Sequence, residues 1–413
     1  MVRYLVVSAL LAGCVAGADV AESAEDISAS SISFTREHVT ADIYHYEAVI
    51  PVGSTPNAAL RIHRIVREIA PFVPRPTSHA AMLLHGDFAT FVTNFAPTLG
   101  DPASPAPGLA PFLAANDVDV WGVDRRWTLP GETDDISDFG AMGLVQELGD
   151  LHTAIAIARG MRGGGQLALV GFSHGAELAY TYEASDGAGI DALVALDFFG
   201  AYGSDEADLQ AASCANADAE YAAVAAGETD SPNDFLIEAG ELAQSNPNDP
   251  SPLLDGFTNR GVSLLLLGQT FEFAPIAPVY HLLSPILDDT DTPTGLRLTT
   301  ETIGNTWLAQ SPPHESELEA ADFDAQLCGQ APPVDAPMSR IAVPLLYLGA
   351  AGGVGALGLD TTQQVSSHDV TTHVFQLFGP DQADADVGHG DLLYAGRARA
   401  QVWQPLAAWL AGH

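Results

Sequence analysis

Leu167-Ala168-Leu169-Val170-Gly171-Phe172-Ser173-His174-Gly175 couples a short apolar run to the pattern Gly-x-Ser-x-Gly. A run of this kind, closed by a glycine, reads as a buried strand. The glycines on either side of Ser173 remove side chains at a point where a strand turns sharply into a helix, and where a Cβ would strike the neighbouring backbone. Such an elbow lifts the serine hydroxyl out of the sheet. It also aims the free N–H groups of the new helix at the same place. The pentapeptide alone is a common pattern, so its weight comes from its surroundings.

Working outward, 80–84 is another short apolar run, ending at His85-Gly86, and 118–123 reads as the next buried strand. Residues 43–52 and 59–69 alternate in the manner of strands about a turn at 53–57. Helical periodicity from about 141 to 161 stops at Gly163-Gly164-Gly165. A helix over 175–183 and a strand over 192–199 follow the elbow. From 201 to 339 the style changes to Ala, Asp, Asn and Pro, with a helix-like piece at 234–243 and an apolar stretch at 261–283. Strand signals resume at 341–348 and 370–378, and a last helix is expected near 398–410. Strands alternating with helices predict an α/β chain with a mostly parallel sheet covered on both faces. The expected organisation is a signal segment 1–13, a tether 14–35, a core in two parts (36–200 and 340–413), and between them a large, mainly helical cap, 201–339.

The composition excludes several chemistries. All fifteen basic residues are Arg and there is no Lys, so no Ser-Lys dyad, Schiff-base lysine or Walker A loop can exist in the chain. A net charge of -38 repels phosphate polyanions, which argues against nucleic acid as a partner. A GC-rich genome and adaptation to salt would both produce this bias.

Met1-Val2-Arg3, the apolar stretch 4–11 and Leu11-Ala12-Gly13-Cys14 suit a bacterial export signal and are too short to span a bilayer as a helix. Leu-Ala-Gly-Cys resembles the lipobox of bacterial lipoproteins. That resemblance implies lipidation of Cys14 and a chain anchored to a membrane in the cell envelope. Setting Cys14 aside leaves Cys214 and Cys328, an even pair in a chain bound for an oxidising compartment. A disulfide between them is expected, clamping the base of the insertion.

The ordered set of His85-Gly86, the elbow at Ser173 and Gly388-His389-Gly390-Asp391-Leu392-Leu393 resembles the α/β-hydrolase fold superfamily, and within it the lipase and esterase branch. The resemblance covers roughly 40–200 and 340–413. It implies Ser173 as nucleophile and His389 as general base. It also implies an oxyanion hole from the backbone N–H groups of His174 and Asp87, with Phe88 as neighbour. The acid is where the chain departs from the pattern. The usual position, after the strand ending at Leu348, is filled by Gly349-Ala350-Ala351-Gly352. Asp197, closing the run Leu193-Val194-Ala195-Leu196, is the preferred acid and Asp360 the alternative.

Other signals carry less. Gly353-x-Gly355-x-x-Gly358 follows a strand but sits where the sheet is already accounted for, so a loop beside the site is expected there, with no cofactor. His368 and His373 lack any zinc-motif spacing, and no metal is expected. Phe271, Phe273, Tyr280 and Trp307 belong to the core of the cap or line an acyl pocket. The expected activity is hydrolysis of a small-molecule or lipid ester through an acyl-enzyme. A peptidase or amidase on the same triad and a non-catalytic envelope binding protein are the alternatives.

Overall fold

The computed structural model describes residues 33–99, 108–272, 276–277 and 279–413. The signal segment, Cys14, most of the tether and Phe273 lie outside the described residues. In chain order the strands are β1 (Ser33–Thr40), β2 (Ile43–Pro51), β3 (Ala59–Ala70), β4 (Val73–Pro74), β5 (His79–Leu84), β6 (Val118–Asp124), β7 (Ala168–Phe172), β8 (Ala192–Leu196), β9 (Pro285–Leu287), β10 (Pro293–Leu296), β11 (Leu345–Ala350) and β12 (Val370–Phe375). The main sheet runs β1-β2-β3-β6-β5-β7-β8-β11-β12, with β4 added to β3.

Its two halves differ for a physical reason. β1, β2 and β3 are joined by short turns and pair antiparallel, and β3 pairs antiparallel with β6. From β6 to β12 every pairing is parallel. Parallel neighbours need long crossovers, and the helices in those crossovers cover both faces of the sheet. Accordingly every residue of β6, β7, β8 and β11 is buried. One face packs on helices Leu109–Ala115 and Gln404–Leu410. The other packs on Leu144–Arg162 and His174–Ser185. This is the α/β-hydrolase fold.

Between β8 and β11 lies the cap. It contains helices Ala207–Ala226, Asp234–Ser245, Asn259–Gly268, Glu301–Ala309 and Glu317–Cys328, with the separate hairpin β9–β10. A disulfide joins Cys214 to Cys328 and ties the first of these helices to the last. Trp307 is buried within the cap, whereas Tyr280 reaches the ring of His389.

Three elements differ from the sequence reading. The strand expected over 192–199 stops at Leu196, because Asp197 turns to φ 47° and leaves the ladder. The segment expected as a loop at 353–358 instead opens the helix Gly355–Thr362. The last helix is entered through a π-turn, Arg399–Trp403. Among the described residues no helix is long and apolar enough to cross a membrane.

The disulfide closes 114 residues of chain, and a cross-link of that span restricts the unfolded ensemble by about 4 to 5 kcal/mol on the chain-entropy model. Replacing both cysteines by serine should therefore lower unfolding free energy by roughly 2 to 5 kcal/mol in urea titrations. An unchanged midpoint would show that the cap is held by packing alone.

Candidate active site

Ser173 occupies the turn between β7 and the helix His174–Ser185, with φ 58° and ψ -137°. Both glycines of the elbow are sterically required. A Cβ at Gly171 would run into the backbone of Gly175 and Ala176, and one at Gly175 into the carbonyl oxygens of Leu84 and His85. The Ser173 N–H donates to the Leu196 carbonyl at 3.1 Å, which ties the elbow to the end of β8, one residue before Asp197. Ser173 and His174 are partly exposed, while their flanking residues are buried.

His389 comes from the loop after β12. Its ring lies 4.6 Å from the ring of Phe172 and 5.4 Å from that of Tyr280. Its Nδ1 donates to Asp197 Oδ2 at 2.7 Å. Both side chains are buried, and Asp197 is entirely inaccessible. Asp197 also accepts the Ala350 N–H at 2.7 Å and the Val354 N–H at 3.3 Å. The structure thus brings His389 to Asp197. Asp360 sits on the helix Gly355–Thr362 beside Glu206 and Gly203, and is not the partner of His389. Gly353, directly after the segment Gly349-Ala350-Ala351-Gly352, has its own reason: a Cβ there would overlap the Asp197 carboxylate. On the far side of the imidazole, His389 Nε2 is buried and has no hydrogen-bond partner among the described residues.

The histidine loop is fastened from below by Asp391. This carboxylate accepts the Gly388 and Ser284 N–H groups at 2.9 and 2.8 Å and the Thr299 hydroxyl at 2.8 Å. The backbone N–H of His389 itself donates to the His281 carbonyl at 3.0 Å.

The loop after β5 is held as firmly. Gly86 N–H donates to Asn94 Oδ1 at 2.9 Å, and Asn94 in turn donates to the Tyr394 hydroxyl. His85 is kept neutral: burial lowers its pKa to about 4, with Arg125 adding to the effect. Its Nδ1 donates to the Gly86 carbonyl at 2.7 Å and its Nε2 accepts the Arg125 N–H at 3.2 Å. Among the described residues, no protein acceptor pairs the backbone N–H of Asp87 or of His174.

The side chains of those same two residues form an ion pair, Asp87 with His174 Nδ1. Phe323 stacks on the His174 ring at 5.1 Å and Phe198 meets it edge-on at 4.8 Å. Arg125 donates to Asp87 Oδ1 at 3.2 Å, to Glu319 at 2.6 Å and to the His85 carbonyl at 3.1 Å. Glu315, also from the cap, accepts the Phe88 N–H. Burial drives the Asp87 carboxyl upward, but His174 and Arg125 outweigh it and hold the group at about 2. Burial likewise opposes the charged form of His174, yet Asp87 raises its pKa above the ordinary value. Glu319 is pushed to about 7 by burial, against the pull of Arg125.

Arg125, Glu315 and Glu319 were not singled out from the sequence. Ser316-x-x-Glu319 is a legible helix-start pattern, and Ser316 does cap that helix by accepting the Glu319 N–H at 3.3 Å. The Glu319 side chain, however, turns away to Arg125 and Trp127. A concavity of about 520 Å³ exists elsewhere, lined by Tyr46, Ile62, Trp121 and Met161; neither Ser173 nor His389 is part of its wall.

No known family model matches the chain, and no curated protein matches it by sequence. Solved structures do. A protein from Sulfolobus solfataricus described as a candidate lipase aligns with a TM-score of 0.62 at 14% identity, over 92% of this chain and 99% of that one. An epoxide hydrolase from an endophytic Streptomyces aligns with a TM-score of 0.46 at 14% identity, over 89% and 95% of the two chains. A soluble variant of monoglyceride lipase from Saccharomyces cerevisiae gives 0.43 at 11% identity, over 95% and 99%. The first of these likenesses establishes the fold; at such identities none carries an activity.

The Asp87–His174 pair makes stability depend on pH in a defined window. His174, with a raised folded pKa, contributes fully below 6.5, and that contribution is lost as pH rises through the raised value. Asp87, with a depressed folded pKa, contributes above 3.8 and loses its contribution as pH falls through about 2. The stability difference between the wild type and Asp87→Asn should be greatest between these limits and shrink both above and below them. Urea unfolding at a series of pH values measures it; a difference independent of pH would show that the pair is not charged.

Proposed function

We propose that the chain is a serine hydrolase that cleaves carboxylic esters by acyl transfer. The observation that carries this reading is the buried imidazole of His389, tied to Asp197 through Nδ1 and, among the described residues, unpartnered at Nε2. Its ring packs on the residue before Ser173. An acceptor carboxylate on Nδ1 places the proton there, so Nε2 carries the lone pair that a general base needs.

Ser173 Oγ attacks the ester carbonyl and passes its proton to His389 Nε2. The imidazolium so formed is stabilised by the Asp197 carboxylate. The negative charge developing on the carbonyl oxygen is received by the N–H groups of His174 and Asp87, fixed dipoles that need no reorganisation when the charge appears. The tetrahedral species collapses, the alkoxide leaves with the proton from His389, and an acyl-Ser173 remains. Water activated by the same imidazole then releases the acid and restores the serine.

The side-chain pair Asp87–His174 gives this oxyanion hole its rigidity. One amide comes from the loop after β5 and the other from the first residue of the helix His174–Ser185, and the ion pair of the two side chains, seated on Arg125, fixes the distance between them. The cap takes part through Glu319 and Glu315, which hold Arg125 and the Phe88 amide. The substrate class is a small-molecule or lipid ester. The disulfide supports passage through an oxidising compartment, in keeping with export and a lipid anchor at Cys14.

With p-nitrophenyl esters as substrates, Ser173→Ala should lose turnover and labelling by a fluorophosphonate while keeping its circular dichroism. Asp197→Asn should lower kcat on the order of 10³- to 10⁴-fold. Asp360→Asn should leave it unchanged. Full turnover in Ser173→Ala would overturn the reading, and a reversed order of the two acid variants would move the triad's third member.

A further inference from the structure

The hairpin β2–β3 carries a set of metal-ligating groups apart from Ser173. His45 and Glu47 lie two residues apart on β2 and so share one face of the sheet. Glu47 pairs directly with His63 on β3, which places His45 diagonally across from the same histidine. The result is convergent: His45 Nε2 lies 3.0 Å from His63 Nδ1, and Glu47 Oε2 lies 3.9 Å from that nitrogen. The ligand atoms of the three residues all fall within 4.8 Å of one another. Both imidazoles are buried, while the Glu47 side chain keeps about 30% of its surface open to solvent. No other group of three such residues is gathered in this way among the described residues.

A second observation points to a ligand. Asp124, at the end of β6, places Oδ2 3.1 Å from His63 Nε2, the nitrogen facing away from the cluster, a close charge contact that is not aligned as a hydrogen bond. Asp124 is itself fixed, accepting the Phe91 N–H at 2.7 Å and Arg61 at 3.2 Å. A carboxylate on the remote nitrogen favours the proton there and leaves the lone pair on Nδ1, directed toward His45 and Glu47. A carboxylate beside the remote nitrogen is where proteins place the group that orients a metal-binding imidazole. Phe91 stacks on the His63 ring at 4.5 Å and fixes its plane.

We propose that His45, Glu47 and His63 form a binding site for a divalent transition cation of the zinc class. Two imidazole nitrogens and one carboxylate oxygen suit that class, whereas magnesium and calcium prefer oxygen donors. In the metal-free chain the short contact between the two histidines is an N–H···N hydrogen bond. On binding, the proton of His45 moves to its Nδ1, a tautomeric change, and the cation takes the place between the two nitrogens. Solvent reaches the site from the Glu47 side and supplies the remaining coordination. The bound ion would pin β2 to β3 by bonds that do not depend on the hydrophobic core. The proposal does not rest on the proposed hydrolysis.

The test uses the purified full chain, incubated with Zn²⁺ in the presence of excess Ca²⁺ so that the acidic surface is occupied, then desalted and analysed for metal. The expected result is one equivalent of zinc per chain, with ligand-field absorption when Co²⁺ replaces it. Glu47→Gln and His63→Ala should each abolish stoichiometric retention, and Asp124→Asn should weaken affinity by about 10- to 100-fold. Glu47, partly exposed, is the variant to rely on if the buried histidine substitution does not fold. Absence of retained metal in the wild type, or equal retention in Glu47→Gln, would overturn the proposal.

Discussion

A carboxylate without solvent contact must be surrounded by donors, and Asp197 imposes that requirement on everything near it. Its three donors come from distant parts of the chain: the imidazole of His389 and the amides of Ala350 and Val354. The parallel register of β8 with β11, which pairs Leu196 with Leu348, carries β11 on to the Ala350 amide. The turn after β11 must then pass so close that only glycine fits at 353. The histidine loop must be delivered from the other side, and Asp391 anchors it to Ser284 and Thr299 of the cap segment. One buried carboxylate therefore accounts for the glycine at 353, the placing of the Ala350 and Val354 amides, and the approach of His389.

That explains which features could be read from the sequence. The elbow was legible because its signal is local: an apolar run, two glycines and a serine within nine residues. Asp197 was legible as the end of such a run, with the competing position visibly empty of carboxylates. The Gly353-x-Gly355-x-x-Gly358 pattern was legible as a pattern only. Its first glycine serves the approach of Asp197, a contact across more than 150 residues that no local period encodes. The same holds for Arg125 with Glu319, 194 positions apart, and for His45 with His63, which meet through strand pairing. Periodicity reports which face of an element is buried, not which polar groups meet there.

Three of the eight non-glycine residues with positive φ among the described residues gather at the candidate site. Phe88, Ser173 and Asp197 all have positive φ, at 55°, 58° and 47°, and all lie just beyond the C-terminal ends of parallel strands. Such conformations cost energy in residues with side chains and persist only where the surroundings over-determine them. Here β5, β7 and β8 are buried on both faces, so their ends cannot relax. The sheet supplies the rigidity, and the strained turns aim the amides and the hydroxyl.

The absence of lysine bears on the same site. Arg125 is buried and touches Asp87, Glu319 and the His85 carbonyl at once. A guanidinium spreads several donors in one plane and stays protonated when buried, whereas a buried ammonium is readily neutralised. A lysine at 125 would lack the spread to reach these acceptors together, and it could lose its charge among apolar neighbours such as Phe323. Asp87 would then lose part of the field that keeps it ionised, and with it the clasp on His174. The same chemistry recurs in the bidentate pairs Arg126–Asp150 and Arg64–Asp119. Arginine therefore suits the positions of this fold, Arg125 and Arg126, where a cationic side chain is buried and its charge is useful only if it cannot be lost.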